Sequence, residues 1–542
     1  MKNSALQIVL LSGAVCSGKS ALGKLLQERY GAKLIKTRDI ILEARPRVQK
    51  NRQSLQRAGD ALDREDGGKW VAAALSRFID KFSDANFPAG LFVVDSVRIV
   101  EQVDQIRSAF GTDVHHIHVT AEIEELQRRY EERSRSSGEV MTYEQVKRNK
   151  TEQNVEGLAT IADIVVATDR CSEEAVLVRA TALLNLYPRS NTELVDVLIG
   201  GQYGSEGKGN IVGHIASEYD LLVRVGGPNA GHQVFALPQA EKYFHLPSGT
   251  GRAPNAQLLL GAGAVIYVPK LLEEIAAHQV DVARLSIDPQ AMIIEEADRE
   301  SEALALGSIS STAQGVGFAS ARKITERGVY QTNGSQIRLA KDIPQLRPFI
   351  REGQQLLEDH FVKGKRIMLE GTQGTLLSIH HGIYPFVTSR DTTVAGCLAD
   401  AGIAPTNVRK VIMVCRTYPI RVGGPSGPMK MEIDYAKLAR RSGIDEQELL
   451  QTEKTTTTNR QRRLAEFDWV MLKRAVQLNG PTDIALTFAD YISIKNRKAY
   501  RVEQLTEETR RFIEEIERVS GRPVSMISTA FNWRNVIDRR NW

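Results

Sequence analysis

Two glycine-rich loops, each entered from a run of apolar residues, constrain this chain more than any other feature of its sequence. The first is GAVCSGKS, Gly13 to Ser20, behind the apolar LQIVLLS; the second is GGQYGSEGKG, Gly200 to Gly209, behind LVDVLI. An apolar run that stops at glycines and resumes as a helix with a lysine near its start is a strand–turn–helix unit. Its backbone amides and helix N-terminus face an anion, usually a phosphate. Strands of this kind read as continuous apolar runs because both of their faces are covered. At 542 residues the chain has room for two to four domains, so each loop can belong to a sheet of its own.

Over the first third, the strand candidates LQIVLLSG, AKLIKTRD, GLFVVDSVR, DVHHIHVTA and ADIVVATD alternate with the helical patterns GKSALGKLLQERYG, EIEELQRRYEERSR and SEEAVLVRATALLNLY. Such alternation implies a parallel sheet with helices on both faces. The polar break at Pro188, Ser190 and Asn191 places a boundary near residue 190. The expected fold is α/β in two domains, residues 1–190 and a larger unit, 191–542, without internal repeats.

Basic residues exceed acidic ones by only 71 to 66, too few to argue for a nucleic acid or a membrane surface as partner. No apolar stretch is long enough to span a bilayer, and the apolar start runs into a phosphate loop instead of a cleavage site. Cys16, Cys171, Cys397 and Cys415 are scattered without CxxC spacing, so neither zinc nor a disulfide framework is expected. These features fit a reduced, cytoplasmic protein.

GAVCSGKS fits G-x-x-x-x-G-K-[ST] between a strand and a helix. Backbone amides from Gly13 through Ser17, Gly18 and Lys19 would surround a β-phosphate, the Lys19 ammonium would neutralise the β- and γ-phosphates, and Ser20 would ligate Mg²⁺. Asp95 ends the strand FVVD, placed to hold Mg²⁺ through water, with Arg98 three residues on; Asp39 follows the second strand, where an acceptor would lie. Arg128, Arg129, Arg133 and Arg135 share one helix, either as a phosphate-screening lid or as a solvated face. Most of residues 5 to 186 resemble the nucleoside-monophosphate kinase and dephospho-coenzyme A kinase group. A second, kinase-type activity or a nucleotide-sensing role is implied, with the acceptor open.

GGQYGSEGKG has the wrong spacing for that pattern, yet its glycines and Lys208 suit a loop around a triphosphate. Asn229 and His232 follow in VRVGGPNAGHQVF, where the histidine is a candidate acid or charge stabiliser. With these motifs the second unit resembles adenylosuccinate synthetases, which condense a 6-oxopurine nucleotide with L-aspartate at the expense of a nucleoside triphosphate. GSEGKGN stands for the family's GDEGKGK and GGPNAGH for its GGxNAGH. SSTAQGVG, LEGTQGTLLSIHHGIYPFVTS, YPIRVGG, TTTTNRQRR and TFAD then match in order.

The resemblance implies that Asn229, Thr312, Gln373, Thr388, Val422 and Arg460 bind the purine nucleotide. Thr457, Thr458, Arg460 and Arg462 would bind aspartate, whose two carboxylates suit forked guanidinium pairs. The donor nucleotide would meet Gly204, Glu206, Gly207, Lys208, Gly209, Asp490 and Ser528, with Ser205 and Gly231 beside Mg²⁺. A homodimer is implied, although Glu326 replaces an arginine that crosses to the substrate phosphate in relatives, with Arg327 next to it. Phe488 stands where a lysine commonly packs on the donor guanine, which opens the donor to ATP or dATP.

Ser205 occupies the place of the acid that takes the purine N1 proton in relatives, and a serine hydroxyl cannot act as that base near neutral pH. Three explanations stand: a dead site, a base supplied from elsewhere, or a different substrate. Guanine carries a 2-amino group beside N1, where a carboxylate would crowd it and a serine oxygen would accept from it. The 2-aminoadenylosuccinate synthetases of diaminopurine-DNA phages, which act on dGMP, resemble the chain in carrying serine there. The reading favours dGMP or GMP. Its alternatives are IMP with GTP, a catalytically dead binding protein, and a nucleotide-sensing phage-defence or signalling protein.

Overall fold

The computed structural model describes residues 6–83, 90–137, 141–148, 150–184, 193–235, 240–328, 337–455 and 459–542. The chain divides into two compact units, Met1–Tyr187 and Pro188–Trp542, and both are α/β.

In the first unit five parallel strands run in the order Lys33–Lys36, Leu91–Asp95, Gln7–Ser12, Val114–Thr120, Ile164–Ala167. The strand that feeds the first loop is central. Ile8 and Leu10 enter the core on one face and Val9 and Leu11 the core on the other, all four fully buried. That double burial is why the segment carries no alternation of polar residues. Between the second and third strands in the chain lie three helices, Thr37–Ala44, Arg52–Asp66 and Lys69–Ser83. Thr37 to Asp39, expected to trail off a strand, form the first helical turn. The signal for the next helix was present: Asn51 caps it by accepting from the Ser54 amide at 2.9 Å.

Beneath the first loop, Ser12 Oγ lies 2.7 Å from His116 Nε2 and 2.9 Å from His118 Nδ1. Burial pushes both imidazoles down to about 4, helped by Arg107 at His116 and by Lys19 at His118.

The second unit is built on nine strands in the order Leu285–Ile287, Gln257–Leu260, Leu221–Arg224, Ile367–Glu370, Val195–Gly200, Val408–Arg416, Asp483–Thr487, Val524–Ser528, Val536–Asp538. All neighbours pair in parallel except the last two. The central strand again buries both faces, Val195, Val197 and Ile199 on one side and Leu198 on the other. Among the described residues, no helix is long and apolar enough to cross a membrane.

The buried histidines make stability depend on pH with a definite sign. An unfolded histidine titrates near 6.5. Between pH 6.5 and 4 the unfolded chain therefore binds more protons than the folded one, and stability falls with pH across that window. Thermal unfolding midpoints should drop from pH 6.5 to 4.5, and H116Q/H118Q should flatten the drop; identical slopes in the two proteins would refute the assignment.

Candidate active site

A parallel sheet delivers the carboxyl ends of its strands to one edge, and five loops leave that edge of the second unit. Val195–Gly200 leads to Gly204 and Ser205, Leu221–Arg224 to Asn229 and His232, and Ile367–Glu370 to Gln373. Val408–Arg416 leads to Arg421 and Val422, and Asp483–Thr487 to Phe488.

The glycine-rich loop is held from inside by Glu206, which is fully buried. Its Oε1 accepts from the Gln202 and Gly204 amides at 3.0 and 2.7 Å, and its Oε2 from Lys208 Nζ at 2.8 Å. Lys208 also donates to the carbonyl of Gln373 at 2.5 Å, tying the first loop of the site to the third. From outside, Arg416 Nη1 donates to the carbonyl of Ser205 at 3.2 Å, while its Nη2 meets buried Glu453 at 2.5 Å. Glu453 further accepts from Arg462 at 3.1 Å and from Tyr491 at 2.7 Å. Burial opposes its charge, yet Arg416 and Arg462 hold its carboxyl down to about 2.

Two cavities flank this loop. The larger, of about 200 Å³, reaches from Ser205 to Thr312 and Thr388; the smaller lies between Lys208, Phe488 and Phe531. Gly204, Ser205, Gly231, His232 and Arg462 line both, so they form the wall that the cavities share. Five residues of the larger cavity carry a buried polar atom without a partner: Asn229 Oδ1, His232 Nε2, Gln373 Nε2, Arg421 Nη1 and Arg462 Nε. Proteins rarely bury unpaired polar atoms, and five around one cavity mark a place for a polar ligand.

His232 is oriented from behind. Its Nδ1 lies 2.5 Å from Glu370 Oε1 and 3.1 Å from Ser248 Oγ, and the Ser248 amide donates to Glu370 Oε2 at 2.7 Å. Burial, then Arg224, pushes the imidazole down to about 4; Glu370 is held at about 2 by Arg224 and His232 against the opposing effect of burial. A neutral ring that donates its Nδ1–H to Glu370 presents the lone pair of Nε2 at the shared wall. Gln373 sits at φ +56°, a left-handed conformation uncommon for a side-chain-bearing residue, and Thr372 Oγ1 donates to its Oε1 at 2.9 Å.

In the first unit Lys19 Nζ folds back on its own loop, donating to the carbonyls of Gly13 and Ala14 at 2.7 and 2.6 Å. Burial, then Arg98, lowers the ammonium to about 8. Gly13 has no substitute: at φ +137° a Cβ would sit 2.0 Å from the Val119 carbonyl oxygen. Thr168 Oγ1 donates to the carbonyl of buried Ser17 at 3.0 Å. Ser20 Oγ donates to Asp95 Oδ2 at 2.9 Å, and Arg98 meets Glu152 at 2.5 Å. Gly18, Lys19, Ser20, Asp95, Arg98 and Arg133 line a cavity of about 700 Å³. Arg128 lies off it, exposed and paired with Glu125 and Glu132, whereas Arg129 lines it. Asp39 is likewise off the lining, exposed and paired with Arg38 at 3.2 Å.

The family model for adenylosuccinate synthetase matches residues 197–336 and 330–498. The chain belongs to the adenylosuccinate synthetase family. The enzyme of Methanocaldococcus jannaschii is 36% identical over 354 residues, 64% of this chain and 96% of that protein. That of Thermococcus onnurineus is 36% identical over 354 residues, covering 64% and 98%. Among solved structures, the cyanophage S-2L succinoaminodeoxyadenylate synthetase bound to dGMP, with dATP as an energy donor, is 29% identical with a TM-score of 0.53. It covers 64% of this chain and 96% of its own. The fully ligated Plasmodium falciparum adenylosuccinate synthetase has a TM-score of 0.56 at 24% identity, covering 64% and 100%, and shares the fold. An AAA-domain model matches residues 9–156, so the synthetase unit follows a P-loop domain of kinase-like type.

Within the synthetase unit, Gly204, Ser205, Asn229, Gly231, His232 and Thr312 line the larger cavity, as do Gln373, Thr388, Val422 and Arg462; Gly207, Lys208 and Gly209 line the smaller. Other expected residues stand apart. Glu206 turns inward. Arg460 is exposed and outside both linings, and Thr457 and Thr458 lie outside the described residues. Asp490, buried and raised to about 6 by that burial, lines neither cavity; its Oδ2 accepts from Arg497 at 3.0 Å while its Oδ1 is buried without a partner, and Ser528 Oγ donates to the Ala530 carbonyl at 2.9 Å. Glu326 is buried against Arg322 at 3.3 Å, and Arg327 is exposed. The sequence reading missed Glu370, Glu453, Arg421 and Phe531. Glu370 left a trace, a carboxylate closing the apolar strand IMLE; Glu453 left none.

Replacing Glu206 by glutamine strips Lys208 of its buried carboxylate, and breaking a buried pair costs about 3–5 kcal/mol. In E206Q the urea transition of the synthetase unit should shift down by that amount, followed through Trp469, Trp533 and Trp542, with the first unit unmoved. A shift below 1 kcal/mol would mean the loop is held by other contacts.

Proposed function

We propose that the synthetase unit condenses L-aspartate with a 2-amino-6-oxopurine nucleoside monophosphate, GMP or dGMP, driven by triphosphate cleavage through a 6-phosphoryl intermediate. The carrying observation is the wall of Ser205, Gly231 and His232 between two cavities, one rich in unpartnered polar atoms and the other beside the glycine-rich loop. A purine oxygen leaves only when made into a better leaving group. Transfer of the γ-phosphoryl group onto O6 does this, forming O6–P as the bond to the diphosphate leaving group breaks and the N1 proton passes to solvent. The aspartate amine then forms C6–N as phosphate departs, and the amine proton leaves with the phosphate. An anion arriving at His232 Nε2 favours the protonated ring, which stabilises charge on the transferring group. Gln373 Nε2 would donate to the purine edge, and Arg462 to an aspartate carboxylate.

Magnesium belongs to this reading. Among the described residues no cluster of three or more His, Cys, Asp or Glu could hold a metal. Ser205 and the Gly231 carbonyl are neutral oxygen donors, which suits an ion held chiefly by phosphates and water. In the first unit the adjacent oxygens of Ser20 and Asp95 fit Mg²⁺ beside Lys19. Bound there, the ion would neutralise phosphate charge.

Ser205 is the reason to place a 2-amino group in the larger cavity, and the cyanophage relative, bound to dGMP, supports it. GMP, dGMP, IMP and dIMP should be compared with aspartate and several triphosphates, with products read by mass spectrometry. The wild-type chain should prefer GMP or dGMP, and S205D should reverse the order. A polar contact at the amine is worth roughly 1–3 kcal/mol, about ten- to a hundredfold in kcat/KM. A wild-type preference for IMP would overturn the 2-amino reading, and inactivity with all four would mark a dead site.

For the first unit we propose phosphoryl transfer to a nucleotide acceptor, with Lys19, Arg98, Arg129 and Arg133 around the moving charge. K19A should abolish Mg²⁺–triphosphate binding there while aspartate-dependent ligation continues at the wild-type rate. Loss of ligation in a folded K19A protein would show that the two sites are coupled.

A further inference from the structure

Four arginines are buried among the described residues: Arg224, Arg322, Arg416 and Arg421. Three of them face a carboxylate, Arg224 toward Glu370 at 3.6 Å, Arg322 toward Asp298 at 3.1 Å and Arg416 toward Glu453 at 2.5 Å. Arg421 is the exception. It is 5% exposed, on the short strand Ile420–Val422 at the wall of the larger cavity. Its Nη2 donates to the Phe386 carbonyl at 2.9 Å, its guanidinium stacks 4.5 Å over the Tyr203 ring, and its Nη1 has no partner. Besides burial and the Tyr203 hydroxyl, the side chain that acts on it is another cation, Arg463. The undescribed residues of this unit include no Asp or Glu, so none of them supplies the missing charge.

A buried cation without a counter-ion costs several kcal/mol, and a fold keeps one at a cavity wall when an anion arrives from outside. The local backbone is cleared for it. Gly427 stands at φ +104°, where a Cβ would come within 2.9 Å of Arg421 Nη2 and 2.6 Å of Phe386. Tyr203 and Phe386 fix the plane of the fork, and Nη1 is buried at the cavity wall without a partner. Arg462, the other arginine of this cavity, is already paired with Glu453.

We infer that Arg421 is a receptor for an oxyanion of a ligand in this cavity, a guanidinium-binding phosphate or carboxylate. This deepens the proposed reaction and rests on its placement of substrates in the larger cavity. The two candidate sources are the 5′-phosphate of the purine monophosphate and a carboxylate of the amino acid.

The test uses the full chain, wild type, R421M and R421K. Ligand-free R421M should unfold at the same temperature as wild type or higher, because an unpaired buried charge has been removed. Affinity for the anion should fall ten- to a hundredfold, the worth of a charge-assisted hydrogen bond, with R421K in between. Calorimetry with GMP and dGMP and saturation by L-aspartate are run beside thermal shifts with inorganic phosphate and succinate. Loss confined to the nucleotides and phosphate assigns the 5′-phosphate; loss confined to aspartate and succinate assigns the carboxylate. A lower unfolding temperature with unchanged affinities would overturn the inference and leave Arg421 a structural partner of Tyr203. Equal loss for every probe, neutral guanosine included, would also overturn it, as collapse of the cavity. If wild type ligates no purine monophosphate, the proposed reaction fails, yet the phosphate and succinate shifts still decide the role of Arg421.

Discussion

The carboxylate of Glu206 organises the synthetase site. It is buried in the turn it helps to make, accepting from the Gln202 and Gly204 amides and from Lys208. Those amides would otherwise be unpaired at the end of a strand, where no helix or sheet ladder continues. Lys208 carries the constraint onward to the Gln373 carbonyl, so the phosphate loop and the loop after Ile367–Glu370 are positioned together. Ser205, Gly231 and His232 hold their places on the shared wall because this core does not give.

Charge around that core is arranged in pairs. Glu453 engages Arg416, Arg462 and Tyr491; Glu370 engages His232 and Ser248. Glu302, which lines the larger cavity, is likewise engaged, accepting from Ser311 Oγ and the Gly317 amide, while the Arg421 guanidinium there has no carboxylate partner. A cavity whose carboxylates are already engaged and whose guanidinium is not suits an anionic ligand. That fits a site in which a serine, and no acid, stands at position 205.

Much of this was legible before any coordinates. Continuous apolar strands followed by glycine loops and helices dictate parallel sheets, since both faces need cover, and each such strand was found with both faces buried. Gly204, Ser205, Asn229 and His232 were marked from their glycine-rich motifs, Gln373 and Arg462 from the resemblance to the adenylosuccinate synthetases, and the fold gathers them from four loops around one cavity. Other positions misled for a local reason. Arg128 and Arg129 are adjacent, yet a helix turns by about 100° per residue, so one faces the cavity and its neighbour faces Glu132.

The sequence by itself determined the two-domain α/β architecture, the two kinds of phosphate loop and the serine in place of an acid. These reside in local patterns, which chain order preserves. Only the tertiary structure decided that Glu206 faces inward, that Glu370 backs His232, that Arg497 meets one oxygen of Asp490, and that Arg421 lacks a counter-ion. Those facts depend on which side chains meet across separations such as the 138 residues between His232 and Glu370. Pairing of that kind is set by the folding of the sheet and leaves no mark on the spacing of letters in the chain.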